Sequence, residues 1–570
     1  MYVDDETTLL LVALLKAWKV RQIVASPGTQ NAGFNYAVQQ DSAFEVHSAV
    51  DERGAAYMAA GLAYELNEPV VITCTGATAS RNYCSAMTEA YYRKLPIIAI
   101  TFIHYITPFN MDPQMVDRSV TQNDIKTMSV RVQPIQSQPD RMKAMIQYNA
   151  ALAKVFSGAG PVHIEVVNHP HRAMHFNTEK LPANIWWPQL CSVTDLGDVQ
   201  RELYDEPGAV HIGSHRPFTP ELQEAISAFA LSHKVPVFVD HTANYHGANK
   251  VLTQAASMGN LARTPSWILD IGGITGDYTI STIFSKAKLW RISPNGELLT
   301  RRSTPVAKLI HAEEAEAFAA LTRKKGTPKL DYYSEIRSYM DSLIYPELPF
   351  STPGICQALA HHLPARSSLH LAILNSLRSM NFFPLQESIR VNCNVGGFGI
   401  DGALSTLVGQ SWADRNRLCF AIVGDLAFFY DMNALGNRQI HSNIRIMLIN
   451  NGRGEEFRLN PLLEKPFAEK TDPFVAAADH FRSGAQAWAE ACGFTYLQAR
   501  NKDEFHSQMQ RFCDPKPDKK PLLFECFTTN EDEQEAIRLL RTLNKTAAPA
   551  AKKESKGLLS KIVKKISSSC

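Results

Sequence analysis

The chain has 570 residues, enough for three or four domains of ordinary size. Its 58 Lys and Arg nearly balance its 56 Asp and Glu, and 45% of its residues are hydrophobic. This composition excludes a disordered polyelectrolyte and gives no support to a generally basic nucleic-acid-binding protein. The average hides one exception, because residues 545–570 carry a net charge of +6 and the rest of the chain therefore carries −4.

Cysteine usage and the N-terminus indicate the compartment. The ten cysteines are scattered without zinc-binding spacing, and we interpret them as free thiols of a reducing compartment. Asp4, Asp5 and Glu6 precede the apolar run 9–15, where a secretory signal would carry positive charge. No other stretch approaches the length needed to span a bilayer. We therefore expect a soluble, cytoplasmic protein.

Short apolar segments alternate with helical patterns along the chain, which is typical of doubly wound parallel sheets. The helical pattern of small residues at 52–66 predicts one such helix. The segments predict four strands in each of three sets: 22–25, 70–74, 97–101 and 162–167; then 209–212, 235–239, 267–271 and 288–292; then 369–374, 419–423, 445–449 and 522–526. The predicted fold class is α/β, with three doubly wound parallel-sheet domains.

Proline-rich stretches at 169–188 and 324–353 have little apolar periodicity and are interpreted as linkers. They set the predicted domains: an N-terminal domain at 1–170, a central α/β domain at 190–325, a third domain at 354–544 and a flexible basic tail at 545–570.

Polar residues follow two strands of the third set. Gly424-Asp425-Leu426 ends one strand, and Asn450-Asn451-Gly452 ends the next strand along the chain, with a helix-like stretch at 432–440 between them. The carboxyl ends of adjacent parallel strands are where open α/β sheets bind ligands. A carboxylate, an amide oxygen and a nearby backbone carbonyl suit Mg²⁺ or Ca²⁺, and the helix start after Gly424 suits a diphosphate. Taken alone, each motif is also an ordinary turn signal.

This pair of motifs resembles the cofactor site of thiamine-diphosphate-dependent enzymes. The resemblance implies that Asp425, Asn451 and the carbonyl of Arg453 hold Mg²⁺, and that Gly424 and Leu426 belong to the same cofactor motif. The family also needs a glutamate against the aminopyrimidine ring, and the segment 50–56 resembles that helix start, with Glu52 as the catalytic residue. A lone Glu at a helix start is usually a surface residue, but the joint occurrence of both motifs favours the catalytic role.

Further segments extend the resemblance over residues 1–540, most closely to the family of the menaquinone-pathway synthase that makes 2-succinyl-5-enolpyruvyl-6-hydroxy-3-cyclohexene-1-carboxylate. It implies that Gly28 and Gly76 contact the cofactor, that Ile400 wedges between its two rings, and that the carbonyl of Phe398 accepts from its 4′-amino group. Ile400 could equally be a core residue. No flavin or nicotinamide fingerprint is apparent.

The substrate residues depart from that family, which binds its carboxylate-rich substrates, 2-oxoglutarate and isochorismate, with arginines. The chain has Gln30, His104, Met380 and Val395 at four of the matching places, and an arginine expected near 276–278 is also missing. We therefore expect a different substrate, either less anionic or bound by other groups, in a pocket whose candidate residues are Gln30, His104, Gln122, Ser376 and Met380. Arginines that could substitute are Arg53, Arg81, Arg118, Arg378, Arg453 and Arg458.

The resulting functional prediction is a lyase or transferase that uses thiamine diphosphate and Mg²⁺ to decarboxylate a 2-oxo acid, followed by protonation or by carboligation to an aldehyde, sugar or enoyl acceptor. The alternatives are the menaquinone synthase with an unusual pocket and, in another class, a non-catalytic scaffold. Intact Glu52, Asp425 and Asn451 argue against the scaffold. The resemblance also implies a homodimer or homotetramer, because relatives place the cofactor between the first domain of one chain and the third domain of another. Nothing indicates a nucleic-acid partner.

The basic tail has apolar residues at helical spacing among its lysines. A short helix over 556–566 could bind anionic lipid or a partner's groove, so peripheral membrane association is one expectation for this segment. The alternative is a solvated, disordered tail.

Overall fold

Three six-stranded sheets organise the chain, and all their strand pairs are parallel. The predicted α/β class with three doubly wound parallel sheets is therefore confirmed. The computed structural model describes these residues: 1–76, 78–103, 123–156, 158–169, 172, 174–185, 202–257, 263–276, 280–294, 306–310, 312–323, 327–459, 472–479, 484–516 and 518–543. The predicted basic tail at 545–570 lies outside them.

The first sheet comprises β1 Gln22–Ala25, β2 Glu45–Ser48, β3 Val70–Thr75, β4 Ile97–Ile103, β5 Met128–Val132 and β6 Val162–Val167. Its strand order is β2-β1-β3-β4-β6-β5. The helices around it are α1 Glu6–Ala17, α2 Ala32–Gln39, α3 Glu52–Leu66, α4 Thr78–Arg81, α5 Cys84–Arg93 and α6 Gln138–Phe156. The predicted helix over 52–66 is confirmed, and the side chain of Asp51 caps it by accepting from the backbone of Arg53 and Gly54.

The second sheet comprises β7 Gly208–Ile212, β8 Val237–Val239, β9 Lys250–Leu252, β10 Trp267–Ile271, β11 Lys288–Ile292 and β12 Val306–Ile310. Its order is β12-β11-β10-β7-β8-β9. Its helices are α7 Glu202–Asp205, α8 Pro220–His233, α9 Thr253–Ser257, α10 Ile280–Phe284, α11 Glu314–Arg323 and α12 Tyr332–Asp341, with a 3₁₀ turn at His241–Ala243. Helix α12 lies in the stretch interpreted as a linker, and it buries Tyr332 and Ile336.

The third sheet comprises β13 Ser368–Leu371, β14 Arg390–Asn392, β15 Cys419–Gly424, β16 Ile444–Asn450, β17 Thr495–Ala499 and β18 Leu522–Phe527. Its helices are α13 Thr352–His362, α14 Asn375–Met380, α15 Ala403–Ala413, α16 Asp425–Tyr430, α17 Glu456–Leu459, α18 Asp472–Val475, α19 Gln486–Ala491, α20 Lys502–Phe512 and α21 Asn530–Arg541, with a 3₁₀ turn at Met432–Gly436. The order β14-β13-β15-β16-β18-β17 is that of the first sheet when each is counted from its own first strand. The two domains therefore repeat one topology.

The first and third domains pack through α3 and α15, which share one buried apolar cluster. Glycines bring the helices into backbone contact, because a Cβ on Gly61 would lie 2.2 Å from the carbonyl oxygen of Thr406 and one on Gly409 would lie 1.9 Å from that of Met58. Helix α3 is thereby held against the third domain.

Two general expectations can be compared with the described part of the chain. The eight cysteines it contains are free thiols. In the same residues, no helix combines the length and the apolar composition that crossing a membrane requires.

Candidate functional site

The carboxyl ends of β15 and β16 lie side by side, with Gly424 paired to Ile449. Asp425 begins α16, and only 3% of its surface is exposed. One carboxylate oxygen accepts from the backbone N–H of Leu426 and the other from that of Gly452, both at 2.7 Å. Burial raises the pKa of Asp425 to about 6, while the backbone donors act in the opposite direction.

The predicted metal ligands come together at this edge. Asn451 Oδ1 accepts from the backbone N–H of Arg453 at 3.3 Å, in the same turn that donates to Asp425. A Cβ added at Gly424 or Gly452 would meet no atom of the described residues within 4 Å, so within that part of the chain these positions face open space. A buried carboxylate beside amide and carbonyl oxygens is the donor chemistry that Mg²⁺ prefers. The residues present therefore fit a magnesium ion.

The connection after Asp425 differs from the expected helix over 432–440. It consists of α16 and the 3₁₀ turn at Met432–Gly436. Asp431 separates the two, is fully buried, and accepts from the backbone and hydroxyl of Ser405, each at 2.7 Å. Burial raises its pKa to about 7. Asp431 ties the end of α16 to α15, a role that the sequence did not reveal because Asp is equally common in exposed turns.

Glu52 lies at the start of α3, half-buried, and accepts from the side-chain amide of Asn82 at 3.3 Å. Tyr83 is close by, and its pKa is raised well above the ordinary value by burial first and then by neighbours that include Cys74 and Glu52. Glu52 therefore borders the carboxyl edge of the first sheet, where Gly28 follows β1 and Gly76 follows β3.

The residues on both sides of Glu52 bind the end of α16 and the 3₁₀ turn that follows it. Asp51 accepts from the side-chain amide of Asn433 at 2.7 Å. Arg53 donates to the carbonyl of Tyr430 at 3.4 Å and lies over its ring, 5.1 Å from the centroid. The start of α3 in the first domain therefore contacts the end of α16 and the 3₁₀ turn after it in the third.

The loop at 396–402 brings Phe398 and Ile400 to the boundary between these domains. Phe398 has φ of 54°, an uncommon backbone conformation for a large side chain. Ile400 is half-buried and packs against both the α3–α15 cluster and the core of the third domain. The hydroxyl of Tyr57, on α3, donates to Asp401 at 3.0 Å and fixes the end of the loop.

Three of the five substrate candidates lie within the described residues. Gln30 is half-buried, and its carbonyl accepts from Asn168 at 2.6 Å. Ser376 and Met380 lie on α14, with 4% and 0% exposure, so Met380 is a core side chain within this chain. His104 and Gln122 lie outside the described residues.

At three of the places where the resembled family has arginines, those of Met380, Val395 and Gly276, the described residues are packed in apolar surroundings. Val395 is fully buried. A Cβ on Gly276 would lie 2.2 Å from Leu377 Cδ2 and 3.5 Å from Val395 Cγ1, so these residues are in contact. Two candidate replacement arginines are already paired, Arg378 with Glu456 at 2.5 Å and Arg453 with Asp472 at 2.7 Å.

Known proteins resemble this chain in sequence and in fold. Residues 6–128 match the family described as thiamine pyrophosphate enzyme, N-terminal TPP binding domain. The fold is similar to the solved structure of the thiamine diphosphate-dependent 4-hydroxybenzoylformate decarboxylase of Rhodococcus jostii RHA1, with a TM-score of 0.68 and 15% identity, covering 92% of this chain and 99% of that one. The match over residues 6–128 confirms the resemblance to thiamine-diphosphate-dependent enzymes, and the similarity to the solved structure confirms the fold.

Within that class, curated relatives match nearly the whole chain. It is 28% identical over 564 residues to the 2-succinyl-5-enolpyruvyl-6-hydroxy-3-cyclohexene-1-carboxylate synthase of Bacteroides fragilis, covering 94% of this chain and 99% of the synthase. It is 29% identical over 561 residues to the synthase of Phocaeicola vulgatus, covering 94% and 98%.

Proposed function

We propose that the protein uses thiamine diphosphate and Mg²⁺ to decarboxylate a 2-oxo acid, with protonation or carboligation of the product. The observation that carries the proposal is the carboxyl edge of the third sheet. There the buried carboxylate of Asp425 reaches the Asn451–Arg453 turn while α16, which it begins, packs against the start of α3. This arrangement supports one site built from both domains.

The proposed site residues divide between the metal ion, the diphosphate and the two rings of the cofactor. Asp425, Asn451 and the carbonyl of Arg453 would hold Mg²⁺ and through it a diphosphate, and the start of α16 would add backbone N–H donors. Glu52 would hold a proton against the pyrimidine ring. Ile400 and the carbonyl of Phe398 would fix the ring conformation. Thiamine diphosphate, when bound, supplies the electron sink that decarboxylation requires.

The apolar contact of Gly276, Leu377 and Val395 supports a substrate less anionic than that of the synthases. An arginine that binds a carboxylate contributes about 1.5–3 kcal/mol per charged hydrogen bond, so the loss of about five is a large change in specificity. Candidate replacements Arg378 and Arg453 would have to leave their ion pairs first. We therefore propose a 2-oxo acid with a single carboxylate as the donor.

The second candidate is the synthase reaction itself. The 28–29% identity to named synthases over nearly the whole chain favours it. It predicts turnover only when the two synthase substrates are supplied together.

The test is CO₂ release from a panel of 2-oxo acids with Mg²⁺ and thiamine diphosphate, with and without aldehyde or sugar acceptors. We expect monocarboxylic acids to be turned over faster than 2-oxoglutarate. Glu52→Gln should remove most turnover without loss of fold, whereas Glu68→Gln, at an exposed site just after α3, should not. Turnover of 2-oxoglutarate with isochorismate alone would instead establish the second candidate, and an unchanged rate in Glu52→Gln would refute the assigned role of Glu52.

A further inference from the structure

Glu89 is a buried carboxylate that joins the first domain to the loop at 396–402. It lies on α5, and none of its surface is exposed. One oxygen accepts from the backbone N–H of Gly397 at 2.6 Å, and the backbone N–H of Gly396 also donates to the carboxylate. The other oxygen lies 3.3 Å from the guanidinium of Arg93, one turn later on α5. Arg93 neutralises the charge of the carboxylate, while the oxygen that accepts from Gly397 binds the third domain.

The loop backbone rests directly on α5 at this point. A Cβ on Gly396 would lie 2.5 Å from the carbonyl oxygen of Glu89, and one on Gly397 would lie 3.4 Å from its backbone nitrogen. Gly396 therefore permits an approach that a larger residue would block, whereas a Cβ on Gly397 would make only an ordinary contact. The carboxylate binds the backbone amides of both residues. A buried carboxylate is costly unless it is paired and hydrogen-bonded, and here burial raises the pKa of Glu89 to about 7 despite these partners.

The held loop contains both residues assigned to the cofactor rings. Phe398 follows Gly397 directly, and its φ of 54° persists only where the surroundings hold the backbone. Ile400 comes two residues later. Beyond it, Tyr57 holds Asp401 at 3.0 Å, so the first domain fixes the loop on both sides of Phe398 and Ile400.

We propose that Glu89 is a positioning residue for the cofactor rings: by binding the amides of Gly396 and Gly397, it orients the carbonyl of Phe398 and the side chain of Ile400. This inference rests on the proposed function, because it assumes that thiamine diphosphate occupies the site. Because none of its surface is exposed, Glu89 acts through the loop and not by direct contact with the cofactor. Its effect should therefore fall on ring binding and leave the metal and diphosphate subsite unchanged.

The test compares Glu89→Gln with the wild type and with Thr88→Ala. Thr88 is the neighbour on α5 whose hydroxyl bonds within the helix, to the carbonyl of Cys84 at 3.0 Å, so its loss controls for general disturbance of α5. Amide hydrogen exchange over 393–402 in cofactor-free protein reports the loop. Calorimetric titration with Mg²⁺ plus thiamine diphosphate, and separately with Mg²⁺ plus pyrophosphate, reports the two parts of the site.

We expect faster loop exchange in Glu89→Gln and about tenfold weaker thiamine diphosphate binding, with pyrophosphate binding unchanged. The amide oxygen can still accept from Gly397, but it carries no charge, and bonds to a charged acceptor are about twice as strong as neutral ones. Thr88→Ala should match the wild type in all three. Unchanged exchange, or equal weakening of both ligands, would overturn the proposal. If Glu89→Gln fails to fold, Glu89→Asp keeps the charge opposite Arg93 but is one methylene too short to reach Gly397, and the same outcomes apply.

Failure of the proposed function can be distinguished from failure of the proposed role of Glu89. If the wild type binds no thiamine diphosphate, the proposed function is refuted and the cofactor role of Glu89 with it. Faster loop exchange in Glu89→Gln would then still report the contact with the loop.

Discussion

A methyl group added at Gly409 tests how the two domains are held together. In Gly409→Ala the new Cβ would lie 1.9 Å from the carbonyl oxygen of Met58 and 2.6 Å from its carbonyl carbon, both backbone atoms of α3. Ordinary contact begins at 3.4 Å, so the helices must separate by about 1.5 Å. That separation weakens dispersion contacts along the whole crossing of α3 and α15.

Two opposing effects set the magnitude of this prediction. Replacing glycine by alanine inside a helix stabilises the helix by about 1 kcal/mol. Forcing extra volume into a packed core usually costs about 1–3 kcal/mol, and here the obstacle is backbone that cannot rotate away. We expect overpacking to win, with a net loss of about 2 kcal/mol in the free energy of unfolding. The contacts of Asp51 and Arg53 with the third domain should loosen, so cofactor affinity should also fall.

The assay is urea unfolding with a titration of thiamine diphosphate. Gly436→Ala is the matched control, because the nearest atom to its Cβ would be Trp488 Cζ2 at 3.7 Å, an ordinary contact. A Gly409→Ala variant as stable as the wild type would refute the close helix crossing.

Two further predictions concern pH dependence and the tail. Burial raises the pKa of Glu533 to about 7, so its contribution to folding stability is lost as pH rises from about 4.5 to about 7. The backbone N–H and hydroxyl of Thr352 and the hydroxyl of Thr528 donate to the same oxygen of Glu533, so Glu533→Gln keeps that acceptor and cannot ionise. We expect this variant to be more stable than the wild type by up to ~3 kcal/mol at pH 8 and by less at pH 5. A difference in urea midpoint that does not depend on pH would contradict this. A chain ending at Leu543 should cosediment less with anionic vesicles than the full chain, since each lysine near such a surface contributes about 1 kcal/mol, and equal binding would exclude a lipid role for the tail.

The strands that the sequence predicted and those it missed differ by position in the sheet. All twelve predicted strands exist, four of them with the predicted ends and eight with shifted ends, and they are the four inner strands of each sheet. The six strands that the sequence did not predict are the two edge strands of each sheet. In β2 and β17, for example, most side chains are exposed or half-buried. Inner parallel strands are buried on both faces and appear as apolar runs, whereas edge strands need no such run. The shared order of the first and third sheets was invisible because topology does not require repeated residues.

The candidate site divides in a similar way. Asp425 and Asn451 could be predicted because a motif at the end of a strand has a fixed place in a parallel sheet. Glu89 could not, since a glutamate in an amphipathic helix usually faces water, and only its contact with Gly397 in the tertiary structure distinguishes it. The adjacent glycines at 396 and 397 were the available signal, because they mark a close backbone approach.

The central claim is that Asp425 anchors a Mg²⁺-dependent thiamine diphosphate site, and calorimetric titration with this cofactor tests it most directly. The wild type should bind thiamine diphosphate with Mg²⁺ and lose that binding when the metal is chelated. Asp425→Asn should weaken binding by about 100-fold, whereas Asp503→Asn, at an exposed position of α20, should have no effect. No binding by the wild type, or equal binding by Asp425→Asn, would contradict the claim.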